Sequence, residues 1–140
     1  MDVVAGDRSA MIVSVGTGDR ERLTNVQRAF LINAFEMDLL PGVYGDLTDD
    51  ERDLPVQELA DVLLSLVDRG WIEVRRYARW VAEDGREGLT PGDAVPRKDL
   101  PLLLADPGTW RYPDDPSWIG AITLVETAAG MRIRRRSPHP

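Results

Sequence analysis

Between residues 55 and 77 the apolar spacing changes from the repeat of a helix to the repeat of a strand across a single glycine. Val56, Leu59, Ala60, Leu63, Leu66 and Val67 recur every three or four positions, which places them on one face of a helix. Pro55 is tolerated in its first turn, where a missing N–H has no helical partner to lose. Gly70, after Asp68-Arg69, is the residue type that takes a left-handed backbone and stops a helix. Directly beyond it Trp71-Ile72-Glu73-Val74-Arg75-Arg76-Tyr77 alternates, Ile72 and Val74 on one side and Glu73 and Arg75 on the other, the pattern of a half-buried strand. A helix feeding a strand with no room for a crossover predicts an α+β fold with helices packed on a small antiparallel sheet.

The flanking segments fill in the order of elements. Ala10 to Val15 is a β-branched apolar run stopped by Gly16-Thr17-Gly18 and reads as a short strand. Thr24 followed three residues later by Gln27 can satisfy two free N–H groups at a helix start, and Leu23, Val26, Phe30, Ala34 and Met37 continue with helical spacing until Pro41-Gly42. Thr48-Asp49-Asp50-Glu51 has room for one helical turn inside an acidic connection. Residues 82–117 are rich in Gly, Pro and Asp and read as a long insert, broken by a short apolar helix from Asp99, taken as its cap, to Ala105. Trp118 to Val125 resumes a strand pattern and reads as the return of a hairpin, leaving a flexible basic tail over 132–140. The 140 residues thus form one domain, long enough to bury a proper core.

Composition removes several kinds of chemistry. With no cysteine there is no disulfide, thiolate metal site or thiol nucleophile, and a reducing cytoplasm suits the chain. The single histidine, His139, stands next to the last residue, a poor position for a general base that must be held near its proton donor. No apolar run reaches the ~20 residues of a membrane span, and the N-terminus lacks a basic stretch followed by an apolar one. The net charge is −7, with 14 acids against 6 bases in residues 1–70 and 10 acids against 11 bases in residues 71–140. A polyanion would therefore be repelled by the first half and could be held only by a local basic patch.

The second helix ending in Asp68-Arg69-Gly70-Trp71-Ile72-Glu73-Val74, and a last strand closing with Leu124-Val125-Glu126-Thr127-Ala128-Ala129-Gly130, make the chain similar to winged-helix domains over roughly half its length. The resemblance implies helices packed on a small antiparallel sheet, and a module that binds either DNA, through a helix laid in the major groove, or another protein. Two features depart from the family pattern. One helix, 55–69, stands where a pair of short helices is usual, and its polar positions Gln57, Glu58, Asp61, Ser65 and Asp68 carry three acids and no base before Arg69. Carboxylates on that side would oppose docking between phosphates. The 82–117 connection is also far longer than a simple wing.

Two groups of residues are candidates for binding. Trp80, Trp110, Tyr112 and Trp118 would supply large, low-entropy contact area to a protein partner, unless they form a local core beneath the insert. Arg75, Arg76, Arg79 and Arg86, interleaved with Tyr77 and Trp80, could touch phosphates, as could Arg134, Arg135 and Arg136 in the tail. The plainer account of the first four is a solvated strand edge balanced by Glu73, Glu83, Asp84 and Glu87. Gly16-Thr17-Gly18 invites a phosphate, but Glu21 stands where the third glycine of that fingerprint would fall. Asp49, Asp50, Glu51 and Asp53 lack the glycine turn and distant glutamate of a calcium loop. No cofactor or metal is expected. The reading is a non-enzymatic regulatory module acting through a protein partner; the alternative is a DNA-binding regulator, dimeric, using the arginines.

Overall fold

The computed structural model describes residues 22–137. The strand expected at 10–15, the Gly16-Thr17-Gly18 turn and His139 lie outside the described residues.

Helix α1 (Asn25–Glu36) starts as its sequence requires: Thr24 Oγ1 accepts from the Gln27 N–H at 3.1 Å while the Thr24 N–H donates to Gln27 Oε1 at 2.9 Å. It stops earlier than Pro41-Gly42. Met37 takes a left-handed backbone (φ 52°), its N–H returning to the Ala34 carbonyl, and a 3-10 turn over Leu40–Asp46 buries Leu40 and Val43. A second reciprocal cap, Thr48 with Glu51, opens the one-turn helix α2 (Asp49–Arg52). Helix α3 (Val56–Asp68) follows after three residues, buries Leu59, Ala60, Leu63 and Leu66, and ends where Gly70 adopts φ 76°. Two helices, α2 and α3, therefore stand between α1 and the strand, where the sequence reading counts only α3 as an established helix.

Three strands, β1 (Ile72–Val81), β2 (Glu87–Ala94) and β3 (Ile122–Glu126), form an antiparallel sheet in the order β2-β1-β3. Leu39 bridges Thr123 on the outer side of β3. The β1–β3 pairing sets Val74 opposite Leu124 and Arg76 opposite Ile122, a returning strand as expected, although it begins at Ile122 and not at Trp118. The expected insert is different in kind. Its first residues form a tight turn and then β2, which pairs along β1 from Val81 opposite Glu87 to Arg75 opposite Ala94, with an irregularity between Arg75 and Tyr77. Glu87–Ala94 contains two glycines, a proline and no apolar alternation, so nothing in its pattern signals a strand; as an edge strand with one partner it tolerates Pro91.

The remainder of the insert packs down. A turn over Arg97–Asp99 leads into α4 (Leu100–Ala105), a further turn covers Pro107–Trp110, and Leu100, Leu104 and Trp110 join Phe30, Leu63, Leu66, Ile72 and Leu124 in one core. Asp99 makes no side-chain cap for α4, contrary to expectation; Asp106 instead accepts from the Gly108 N–H at 2.9 Å and caps the following turn. The basic tail also differs from expectation, because residues up to 136 belong to helix α5 (Ala128–Arg136). Thr127 explains its start: the hydroxyl accepts from the Gly130 N–H at 3.1 Å and donates to the Gly70 carbonyl at 2.6 Å, joining the beginning of α5 to the end of α3.

Candidate interaction surfaces

The four aromatics proposed for partner binding separate. Trp110 is 3% exposed; its Nε1–H donates to the Leu104 carbonyl at 2.8 Å, and its ring meets Phe30 and Tyr44 edge-on at 6.1 and 6.5 Å between centroids. It is a core residue and offers nothing to a partner. Three distant elements converge on it, which local sequence does not reveal. Trp80, Tyr112 and Trp118 are exposed, at 50%, 59% and 39%. Trp80 stands on β1 opposite Gly88, toward the turn of the hairpin, and Trp118 lies in the approach to β3 with a left-handed backbone of φ 59°.

The hairpin carries more apolar surface than its sequence suggested. Val81 and Leu89 are exposed beside Trp80. Leu89 pairs with Arg79 and Val81 with Glu87, so these apolar side chains project from one face of the ribbon while Trp80, at the intervening position, projects from the other. Leu89 stands between glycine and threonine with proline beyond, a context with no periodicity to mark it.

The arginines named for phosphate contact are mostly engaged. Arg75 Nη2 and Nε both donate to Glu73 Oε1, at 2.6 and 3.0 Å, and Nη1 reaches the Gly92 carbonyl at 2.7 Å. Arg79 forks onto Glu87 at 2.6 and 3.0 Å, and the bond to that carboxylate pushes its pKa up. Arg86 is paired with Asp84 at 2.7 Å. Arg134, expected in a solvated tail, forks onto Glu126 at 2.8 and 3.1 Å with side-chain exposures of only 18% and 4%, and its guanidinium sits 4.2 Å over the Phe35 ring. Arg76 bonds only the Gly120 carbonyl, at 3.1 Å, and Arg135 and Arg136 have no ion pair among the described residues.

The outer side of α3 carries the charge expected of it. Glu58, Asp61 and Asp68 are exposed there. Asp68 is held by Arg97 at 2.7 Å, and this bond draws its carboxyl below the ordinary range. Glu51, from the acidic loop, spends its carboxylate on the Thr48 N–H and, at 2.7 Å, on the Asn25 amide. Among the described residues no group of three or more His, Asp or Glu could hold a metal ion, and no helix is long and apolar enough to cross a membrane.

No family model, no curated protein and no solved structure matches the chain.

Proposed function

We propose that the chain is a non-enzymatic, winged-helix-like regulatory module that engages a protein partner through its hairpin. The element order supports the winged-helix part of this reading: α1, the Leu39 bridge, α2 and α3 three residues apart, then β1, a hairpin and the returning β3. The observation that carries the partner is the hairpin itself, apolar on both faces with Trp80, Val81 and Leu89 exposed. Large exposed apolar side chains grouped on one projecting element are what protein interfaces bury, with tryptophan prominent among the residues that contribute most. Tyr112 and Trp118 are further exposed aromatics available to the same partner or to its periphery.

Duplex DNA is the less favoured ligand for an electrostatic reason. Arg75, Arg79, Arg86 and Arg134 are each neutralised by a carboxylate within the chain, and a phosphate would have to displace it. The groove-entering role is disfavoured for α3 by the exposed carboxylates of Glu58 and Asp61. The DNA alternative, in dimeric form, keeps Arg135 and Arg136 on the last turn of α5, together with Arg76.

Two measurements test the proposal. Random duplex DNA titrated across a salt series is expected to bind weakly and with a shallow salt slope. Nuclease-treated cell extract passed over the immobilised chain is expected to yield a specific protein that Trp80→Ala combined with Leu89→Ser loses. Tight DNA binding with a steep salt slope, reduced by Arg135→Glu with Arg136→Glu, would replace this reading with the DNA one.

A further inference from the structure

Between the sheet and the segment that returns to it lies an open cleft of about 450 Å³, walled by Leu39, Leu103 and Ile122 and carrying two guanidinium groups, Arg76 and Arg111. This volume is in the range of small-molecule sites, which are commonly apolar with a few convergent polar groups. Its charge is unusual for this molecule. In a chain with 24 acids and 17 bases, Arg52, Arg75, Arg79, Arg86, Arg97 and Arg134 all sit on carboxylates. Arg76 and Arg111 form no ion pair among the described residues, although both face a concave space. Arg132, Arg135 and Arg136 share that lack, but they stand exposed on helix α5.

The cleft's own carboxylate, Asp106, accepts the Gly108 N–H through Oδ1 and keeps its single negative charge, against two guanidinium groups. The Gly120 carbonyl takes Nη1 of Arg76 at 3.1 Å and orients the side chain, leaving its other N–H donors for a ligand. On its far side Arg76 also borders a second cleft of about 410 Å³, where it is the sole cation among the lining residues and faces Asp93 and Asp99. An anion is therefore directed to the first cleft, where two guanidinium groups outnumber one carboxylate, rather than to the second, where one stands against two.

We propose that this cleft binds a small organic oxyanion, its carboxylate or phosphate held by Arg76 and Arg111 and its apolar body resting on Leu103 and Ile122. A planar guanidinium binds either oxyanion through paired N–H donors, so charge and geometry select the class. The site stands apart from the exposed hairpin apolar residues and does not depend on the partner reading.

The test is an amide-resolved NMR titration of the full chain with hexanoate, phenyl phosphate, inorganic phosphate and, as an uncharged control, hexanol. Hexanoate or phenyl phosphate is expected to shift the Gly108, Ala121 and Ile122 amides saturably, the tighter of the two naming the oxyanion, with inorganic phosphate weaker and hexanol without effect. Arg76→Gln and Arg111→Gln should each weaken binding by about tenfold, as loss of a charge-assisted bond predicts. Arg76→Lys should lie between them and the parent chain, because it keeps the charge and loses the fork. Both arginines are exposed, so a matching spectrum of the unliganded variants shows that the fold is kept. Equal shifts with hexanol, unchanged affinity in both glutamine variants, or no saturable shift with any of the anions would overturn the proposal.

Discussion

Trp110 and Arg134 each sit in surroundings that make them costly to remove. Trp110 fills the space between α4, α1 and the turn before α2, and Trp110→Ala is expected to cost about 3–5 kcal/mol in urea unfolding, the range for a buried aromatic replaced by alanine. Trp110→Phe should cost less, since it leaves the Leu104 carbonyl without its donor but keeps most of the packing. Arg134→Ala strands the nearly buried Glu126 carboxylate and is expected to cost about 3 kcal/mol, with Arg134→Lys recovering only part of it, as a double-mutant cycle with Glu126→Gln would measure. Neither environment is legible in sequence. Four tryptophans look alike there, and Arg134 is one of three consecutive arginines; only the return of Phe35 and Glu126 from elsewhere distinguishes it.

At the scale of elements, what could be read was what is written locally. The reciprocal caps at Thr24 and Thr48, the apolar stripe of α3 and the alternation of β1 all depend on residues within a few positions of one another, and each element lies close to where its pattern predicts. Strand β2 escapes a local reading because it borrows its ladder from β1, and α5 because its nine residues hold five apolar or small side chains and four arginines with only the Thr127 cap to mark a start. The α2 cap also carries a pH signature. The Thr48 N–H, aided by the Asn25 amide and opposed by partial burial, holds the Glu51 carboxyl below its ordinary 4.5. A carboxyl whose folded value is depressed stabilises the fold fully above its unfolded value and loses that contribution as pH falls through the folded one. Stability followed by denaturant melts should therefore fall as pH drops below 4.5, and Glu51→Gln should flatten that limb while leaving the slope at neutral pH unchanged.

For the molecule as a whole, the decisive junction is where α3, β1 and α5 meet. A methyl group built on Gly130 would overlap the Trp71 carbonyl, which is backbone and cannot swing aside. Gly130→Ala is expected to cost about 1–3 kcal/mol, as overpacking does, with a lower melting temperature and a changed near-ultraviolet signal from Trp71 as the readouts. The Thr-x-x-Gly pattern was legible in sequence as part of a resemblance; its physical cause, a glycine pressed against a carbonyl more than fifty residues earlier, was not. The same long reach governs assembly. Strand β3 sits between β1 and the Leu39 bridge yet is made after both. Until residues 122–126 leave the ribosome that side of β1 has no partner, so a stalled or clipped product would present a raw hydrogen-bonding edge to its neighbours, the condition under which unfinished polypeptides stick together.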